Sequence, residues 1–371
     1  MPEMSEKRTE KESPLSKLYR LYLSGLSLND FDRLVKKEVP GMYQYYREQI
    51  TPPEPGTDKF KRSLLFIKDF FIVFLNKLTP VRRIVYSVSL FFFLWGYFIE
   101  SYFYLVLGFI ITNILLAFEL ADKLSMRDEL DVAKKIQQDL MPACAPEING
   151  FEISSHISPA REVGGDYFDF IRTEETGGHL FVIGDISGKG MAAALNMIQV
   201  RTLIHVLAAG RDGNLHLLLQ ELNKELCRVL RREYFFTANA AYIDNRNNIS
   251  FCRAGHMPVI HYSAESKEIK VYKPRGLGLG LTGSSLFSET LEVQEITTTP
   301  GDVLLFYTDG VNECMNEHGE FFGDERLLRI ILHNAHRPAE QIKRDIAYRL
   351  ADFAGDTDQH DDITFVIFKV L

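Results

Sequence analysis

Four short segments of the chain place aspartate beside glycine or at the edge of an apolar run, and these carboxylates are the side chains best suited to chemistry. Asp166 follows a glycine pair in VGGDYFD, Asp185 ends the apolar run VIGD, and Asp309 ends the apolar run LLFYTD. Asp361 and Asp362 stand together in HDDIT, before the last apolar run. A single aspartate of this kind is commonly a turn residue. Repetition of the same pattern favours a shared site over turns alone.

Carboxylates gathered at one place raise one another's pKa unless cations neutralise them. Oxygen ligands suit hard ions such as Mg²⁺ and Mn²⁺ better than zinc. Two such ions can hold a water molecule, lower its pKa and direct it at phosphorus. Glycines beside the aspartates let ions and a phosphate group approach the main chain. The pattern therefore predicts metal-dependent chemistry on a phosphate.

The composition excludes several classes of protein. With 371 residues, the chain is long enough for two or three domains, and 46% hydrophobic content argues against disorder. The 4 cysteines form no CxxC pair, which argues against a zinc ribbon and predicts a reducing compartment. The net charge of −8 divides into +5 over residues 1–83, −1 over residues 84–118 and −12 over residues 119–371. An acidic C-terminal part lacks the basic stripe of a nucleic-acid binder, so we expect no nucleic-acid partner.

The elements that would position the aspartates lie between residues 150 and 371. Apolar and β-branched runs predict strands at 151–157, 179–185, 235–244, 249–255, 302–309 and 363–370. Helices are predicted at 191–209, 215–232, 325–333 and 338–354. Several strands end in an acidic residue, so a rigid element would hold each carboxylate.

Two uncharged runs, 84–99 and 102–118, flank Glu100 and Ser101. They predict a membrane hairpin over residues 84–118 with a sharp turn at Glu100, or alternatively a hydrophobic dimer or domain core. The preceding segment, residues 61–83, predicts a basic interfacial helix, and its positive charge places both termini and the C-terminal part in the cytoplasm. Residues 1–60 predict a small helical region without recognisable chemistry.

Residues 119–142 predict a helical connector. Met126, Leu130, Ala133 and Leu140 lie at coiled-coil spacing, with Gln137 in the remaining seam position. The spacing fits a homodimeric helix that passes a signal to the C-terminal part. It equally fits a connecting helix packed within one chain.

The ordered segments resemble a known family. VGGDYFD, GDISGKG, AGHMP, YTDGVNE, FG and DDIT resemble the motifs of the metal-dependent type 2C protein phosphatases over roughly residues 128–371. The likeness is to the bacterial sporulation and stress-response branch, which acts on partner-switching regulators. It implies an α+β fold, an α-β-β-α sandwich over residues 143–371, with the metal ions at one end of the two sheets.

The resemblance also implies roles for individual residues. It implies two Mn²⁺ or Mg²⁺ ions held by carboxylates and one main-chain carbonyl: Asp166, Asp185, Ile186, Asp309 and Asp361. Asp166 and Asp185 are the catalytic pair, with Asp185 as the bridge. Asp361 is favoured over Asp362 because it is the first residue of an Asp-x-x-Ser/Thr motif. Arg161, five residues before Asp166, binds substrate phosphate in this scheme or is a surface arginine.

The implied reaction is hydrolysis of phosphoserine or phosphothreonine by metal-activated water, without a phosphoenzyme. The implied substrate is a phosphorylated anti-sigma-factor antagonist, and the membrane is the second partner. The turn after Asp185 holds no histidine, unlike that of the eukaryotic relatives. Two alternatives stay open: a catalytically inactive membrane scaffold, and a hydrolase of small phosphate esters or nucleotides.

Three further features have plainer interpretations. His256 in AGHMP fits a structural turn histidine better than a substrate contact. Lys189 lacks the spacing of a phosphate-binding loop. The GLGLG run at 276–280 predicts a flexible loop near the site.

Overall fold

The computed structural model describes residues 59–142, 144–173, 177–209 and 213–371. The chain divides into two compact units, Met1–Lys123 and Leu124–Leu371. The helical region predicted at residues 1–60 lies almost entirely outside the described residues, so it stays a prediction.

The described part of the first unit is helical. Its helices are α1 (Lys59–Lys77), α2 (Pro80–Phe98) and the N-terminal part of α3 (Tyr102–Leu140). Pro80 begins α2, where its missing N–H removes no helical hydrogen bond. Glu100, between α2 and α3, adopts a left-handed conformation with a φ of 55°. The chain therefore turns where the two uncharged runs meet.

Helices α2 and α3 approach closely through small residues. Ser89 Oγ donates to the main-chain oxygen of Gly108 at 2.7 Å. A Cβ atom at Gly108 would lie 2.9 Å from the carbonyl oxygen of Ser89, so the approach needs glycine. The Arg82 guanidinium donates to Glu119 at 2.9 Å and also pairs with Asp122. Charged groups thus pair across one end of an otherwise apolar helical hairpin.

Within the described residues, two helices are long and apolar enough to cross a membrane, α3 and α4 (Met191–Ala208). Helix α4 packs into the core of the second unit, which explains its apolar character. Helix α2 is not among them, and Arg82 and Arg83 occupy its first turn. Large apolar side chains nevertheless stay exposed on α2 and α3, among them Phe91, Phe98, Tyr102 and Phe109. By length and composition, the structure therefore contains one of the two predicted spans.

The predicted connector is not a separate helix, because α3 continues without a break to Leu140. Of its predicted seam, Met126 is 66% exposed. Leu130 and Ala133 are half-buried. Gln137 belongs to the second unit and is buried within it. This part of the seam therefore packs within the chain, as the second interpretation expects, and dimerisation stays a prediction.

The second unit contains two five-stranded antiparallel sheets, in the orders β1-β10-β9-β6-β7 and β2-β3-β4-β5-β8. The strands are β1 (Phe151–Ser158), β2 (Asp166–Arg172), β3 (His179–Ile186), β4 (Phe236–Ile243), β5 (Ile249–Ala254), β6 (Val259–Ser263), β7 (Glu268–Tyr272), β8 (Val293–Ile296), β9 (Val303–Tyr307) and β10 (Ile363–Val370). The remaining helices are α5 (Leu215–Val229), α6 (Ser285–Thr290), α7 (Asp309–Asn312), α8 (Gly323–Asn334) and α9 (Ala339–Ala354).

Aromatic side chains fill the space between the two sheets. The ring of Phe181 lies 5.1 Å from that of Phe306 and 5.0 Å from that of Phe368, which belong to the opposite sheet. Burying each such side chain contributes about 1.5–3 kcal/mol. Helices α4 and α5 cover the outer face of one sheet, and α8 and α9 cover the other. This α-β-β-α sandwich confirms the predicted fold class.

The predicted strands and helices of this unit are present with ends shifted by a few residues, but β2, β6, β7 and β8 escape sequence prediction. Strands β7 and β8 are short sheet edges with mostly exposed side chains, so apolar alternation is weak. Strand β2 is also an edge, and Asp166 and Asp169 interrupt its apolar pattern. The missed strand β2 is the one that carries Asp166.

The prediction of a flexible GLGLG loop is wrong. Leu279 is fully buried and exchanges two main-chain hydrogen bonds with Phe236, of 2.9 and 2.8 Å. A Cβ atom at Gly276 would lie 1.8 Å from the carbonyl oxygen of Arg253, so this glycine is needed for close packing. The Asn223 side chain accepts from Gly280 N–H at 2.9 Å. These contacts hold the segment against β4.

Asp302 gives a testable effect of pH on stability. It is buried, its Oδ2 lies 2.9 Å from His261 Nε2, and its Oδ1 accepts a hydrogen bond from the Ala264 N–H at 2.7 Å. Burial alone raises the pKa of Asp302, but the hydrogen bonds from Ala264, Thr299 and His261 outweigh it, and the pKa is lowered. This carboxylate therefore stabilises the fold above its unfolded pKa of about 4, and the stabilisation is lost as pH falls below that value.

We expect Asp302→Asn to lower the free energy of unfolding by about 1–3 kcal/mol at pH 7. The difference from the wild type should shrink at pH 3, because the carboxyl group of the unfolded chain is then mostly protonated. Urea unfolding at both pH values measures this difference, with Asp352→Asn on the exposed side of α9 as the control. An equal loss at pH 3 and pH 7 would contradict the role of the charge.

Candidate active site

Two of the predicted aspartates face each other across neighbouring strands. Asp166 begins β2 and lies directly opposite Asp185 in β3. Directly opposed residues of an antiparallel pair project from the same face of the sheet. Thr237 of β4 continues this row on the other side of Asp185. The missed strand thus brings the first two predicted site residues together.

The other aspartates come from the second sheet. Asp309 follows β9 as the first residue of α7, and Asp361 and Asp362 immediately precede β10. Strands β9 and β10 are antiparallel partners, so the end of one lies beside the start of the other. Thr308 joins the two sheets, because its hydroxyl donates to Asp166 Oδ2 at 2.8 Å. The sandwich therefore collects all the predicted carboxylates at one end.

The electrostatics of this end reflect the crowding of carboxylates. Burial, and then the charges of Asp309, Asp361 and Asp362, raise the pKa of Asp185 to about 8. Burial followed by repulsion from Asp185 raises the pKa of Asp166 well above its ordinary value. The pKa of Asp309 is raised by burial and then by the charge of Asp361. The site therefore holds protons or attracts cations at neutral pH.

Asp361 and Asp362 have different surroundings. Asp362 is buried and accepts main-chain N–H groups from Ala160 at 2.8 Å and Gly165 at 2.7 Å. Asp361 is partly exposed and pairs with the Lys189 ammonium at 2.7 Å. Asp362 thereby holds the loop that precedes Asp166 in place. The carboxylate of Asp361 has a side-chain partner that can move away.

Oxygen atoms converge beside Gly165. A Cβ atom at Gly165 would lie 2.7 Å from Asp185 Oδ1 and 2.8 Å from the carbonyl oxygen of Ile186. Among the described residues, no group of three or more His, Cys, Asp or Glu side chains is placed to hold a metal ion. The carboxylates bond protein donors such as Thr308 and Lys189. An all-oxygen set of carboxylates and one carbonyl nevertheless has the chemistry that Mg²⁺ or Mn²⁺ requires.

Arg161 lies on the surface beside this end of the sandwich. Its Nη1 atom is 3.8 Å from the position that a Cβ atom would take at Gly190, in the turn after β3. It forms no ion pair with another residue in the part of the chain that the structure describes. The guanidinium is therefore available to an anion near Asp185.

His256 has a structural environment, as its plainer interpretation expects. It is buried, and its Nδ1 lies 2.9 Å from the hydroxyl of Thr237. Burial and the nearby Arg253 lower the pKa of His256 to about 3, so the ring is neutral at physiological pH. It therefore supports β4 rather than supplying charge to a substrate.

Sequence reasoning missed two contacts made by side chains at this end. The Gln137 carboxamide donates to the Gly164 carbonyl at 2.8 Å and accepts the Gly164 N–H at 3.1 Å. Lys189 reaches both Asp361 and the carbonyl of His360, at 2.7 and 2.8 Å. The glycines of the SGKG turn could have drawn attention to Lys189. No local pattern in the sequence indicates that Gln137 contacts Gly164, which is 27 residues further along the chain.

A cavity of about 320 Å³ lies directly beside Asp361. Its lining includes Glu313, His156, His360 and Gln359. A larger cavity of about 760 Å³ lies between α8 and α9 and contains none of the predicted site residues. The smaller cavity thus borders a predicted site residue, whereas the larger one does not.

The family described as Stage II sporulation protein E (SpoIIE) matches residues 175–371. Protein IcfG of Synechocystis sp. is 29% identical over 283 residues, which cover 68% of this chain and 43% of that protein. Phosphoserine phosphatase RsbU of Bacillus subtilis is 26% identical over 250 residues, 66% of this chain and 70% of that protein. The SiaA-PP2C domain of Pseudomonas aeruginosa has a TM-score of 0.59 at 23% identity, over 68% of this chain and 99% of that chain. The chain thus spans less than half the length of IcfG, and the structural match confirms a PP2C fold.

Proposed function

The chain belongs to the SpoIIE family, and from this membership we propose that it is a protein serine/threonine phosphatase. Its substrate is phosphoserine or phosphothreonine on a regulatory protein of the anti-sigma-factor antagonist type. The observation that carries the proposal is the meeting of Asp166, Asp185, Asp309 and Asp361 at one end of the sandwich. Burial and mutual repulsion there raise the pKa of Asp185 to about 8. Similarity to RsbU, which is named as a phosphoserine phosphatase, supports the substrate class.

The residues that would hold two Mn²⁺ or Mg²⁺ ions supply oxygen atoms only: Asp166, Asp185, the Ile186 carbonyl, Asp309 and Asp361. When bound, the ions supply water of lowered pKa for hydrolysis of a phosphate monoester. The protein holds these ligands in place through Asp362, which bonds the Gly165 N–H, and Thr308, which bonds Asp166.

Arg161 binds and orients the phosphate in this proposal. Its guanidinium can form two parallel hydrogen bonds to phosphate oxygens. The turn after Asp185 reads Ile186-Ser187-Gly188, so the chain offers no imidazole there to protonate the departing serine oxygen.

The activity is tested with the full chain in detergent. We expect phosphate release from a phosphoserine peptide in Mn²⁺, none in EDTA, and little release from nucleotides. A chain that binds Mn²⁺ and retains its fold, yet releases no phosphate from any phosphoprotein substrate, would support the scaffold interpretation. Faster release from nucleotides than from the peptide would support a small-molecule hydrolase.

We also propose that α2 and α3 insert as a hairpin into the cell membrane, with both termini and the second unit in the cytoplasm. The exposed apolar side chains on both helices and the basic residues around α1 support this arrangement. Carbonate washing of membranes should leave the chain in the pellet, and detergent should release it. Release by carbonate would contradict insertion.

Gln137 supplies a prediction about how α3 supports the site. Its carboxamide makes two hydrogen bonds to Gly164, two residues before Asp166. Gln137→Ala should lower phosphatase activity by about 10–100-fold, the range typical when a group that orients a metal ligand is lost. Gln138→Ala, on the exposed side of the same helix, is the matched control and should keep its activity.

Initial rates of phosphate release in saturating Mn²⁺ measure this effect. Circular dichroism confirms that both variants keep their helical content. Equal activity of the two variants would show that α3 does not position the Asp166 loop.

A further inference from the structure

Lys189 occupies a tight turn between β3 and α4. The glycines on either side of it, Gly188 and Gly190, have φ values of 99° and 71°, in the left-handed region that favours glycine. This conformation directs the Lys189 ammonium to Asp361 Oδ2 at 2.7 Å and to the His360 carbonyl at 2.8 Å. A cation of the protein itself thus lies on one of the carboxylates proposed to bind metal.

The position of this ion pair matters because of the charges around it. The charge of Asp361 contributes to the raised pKa of both Asp185 and Asp309. Among the residues that the structure describes, Lys189 is the basic side chain that forms an ion pair with this carboxylate group. The Lys189 ammonium therefore offsets part of the repulsion among these carboxylates. Bound divalent ions would offset the same repulsion.

We propose that Lys189 is an internal competitor for the divalent cation at Asp361. This inference rests on the proposed function, which makes Asp361 a metal ligand. A divalent ion that coordinates Asp361 Oδ2 at about 2.0–2.6 Å would lie close to the Lys189 ammonium, and the two positive charges would repel each other. An ion bound at this oxygen therefore favours opening of the Lys189–Asp361 pair.

The pair is suited to opening. The Lys189 and Asp361 side chains are 47% and 34% exposed, so water can solvate both groups once they separate. Partly exposed ion pairs are weak, and the lysine side chain is long and flexible. The lysine thus lowers the metal affinity of the site moderately without blocking it.

The test measures Mn²⁺ binding to the full chain in detergent, by the loss of the free Mn²⁺ signal in electron paramagnetic resonance. We expect Lys189→Gln to bind Mn²⁺ about 3–10-fold more tightly than the wild type, since it removes both a competing ion pair and a nearby positive charge. Lys189→Arg keeps the charge and should stay near the wild-type affinity. Arg161→Gln removes a neighbouring cation that has no partner at Asp361, and it should change the affinity less.

The outcomes separate the inference from the proposed function. Wild-type protein that binds no Mn²⁺ would overturn the metal site itself. A wild type that binds Mn²⁺ and a Lys189→Gln variant with equal or weaker affinity would overturn the inference alone. Equal tightening by Lys189→Gln and Arg161→Gln would also overturn it, because the effect would then be one of general charge.

Discussion

Asp185→Asn should reduce phosphate release from a phosphoserine peptide by about 1,000-fold or more. Asp185 lies directly opposite Asp166, and its Oδ1 and the Ile186 carbonyl oxygen converge beside Gly165, so Asp185 would hold metal in the proposed site. Bound metal stabilises the transition state by several kcal/mol, and each 1.36 kcal/mol is a factor of ten in rate. The asparagine side chain keeps the shape but lacks the charge that holds the ions.

The same substitution should stabilise the metal-free protein. The pKa of Asp185 is raised to about 8 by burial and by its carboxylate neighbours. Its unfolded value is about 4, so ionisation destabilises the fold: the fold is favoured below pH 4, and stability is lost as pH rises toward 8. Asparagine removes this loss, and the free energy of unfolding in EDTA should rise by about 1–3 kcal/mol at pH 7.

Urea unfolding in EDTA between pH 4 and pH 8 measures the stability effect, and initial rates in Mn²⁺ measure the activity. Asp352→Asn, on the exposed surface of α9, is the control for both experiments. Turnover by the Asp185→Asn variant near the wild-type rate would contradict the assignment of this residue. An activity loss accompanied by a loss of stability in EDTA would indicate a structural role instead.

Gly165→Ala should weaken Mn²⁺ binding by about 10–100-fold or more, comparable to the loss of a group that supports a metal ligand. A Cβ atom at this position would lie 2.7 Å from Asp185 Oδ1 and 2.8 Å from the Ile186 carbonyl oxygen. The methyl group would therefore displace two of the proposed ligands together. Gly165 does not have a positive φ, so alanine introduces no backbone strain there.

Gly283→Ala is the matched control, because its added Cβ atom would meet nothing closer than Cys227 Sγ at 4.0 Å. Titration of the full chain with Mn²⁺ compares the two variants, and thermal unfolding in EDTA tests their folds. Unchanged Mn²⁺ affinity in Gly165→Ala would place the ions away from Asp185 and Ile186.

Much of the second unit can be predicted from local sequence patterns. Apolar runs revealed the central strands β3, β9 and β10, because strands buried between two layers need apolar side chains along their length. The sequence did not reveal the edge strands β2, β7 and β8. The side chains of β7 and β8 are mostly exposed, and two buried aspartates interrupt the apolar pattern of β2. The GLGLG segment was predicted to be flexible because glycines are common in flexible loops. Gly276 instead allows close packing against Arg253, and local composition cannot distinguish these two uses of glycine.

The sequence by itself determined the chemical groups, namely aspartates in an ordered series of glycine turns, together with the apolar runs; the sandwich was implied by the family resemblance. Only the tertiary structure decided their partners. The Asp166–Asp185 register depends on the pairing of β2 with β3, and Lys189–Asp361 depends on the stacking of two sheets. Gln137 meets Gly164 only because α3 packs on the sandwich. Turn and strand propensities act over a few residues, whereas these contacts follow from burying whole faces of distant elements together.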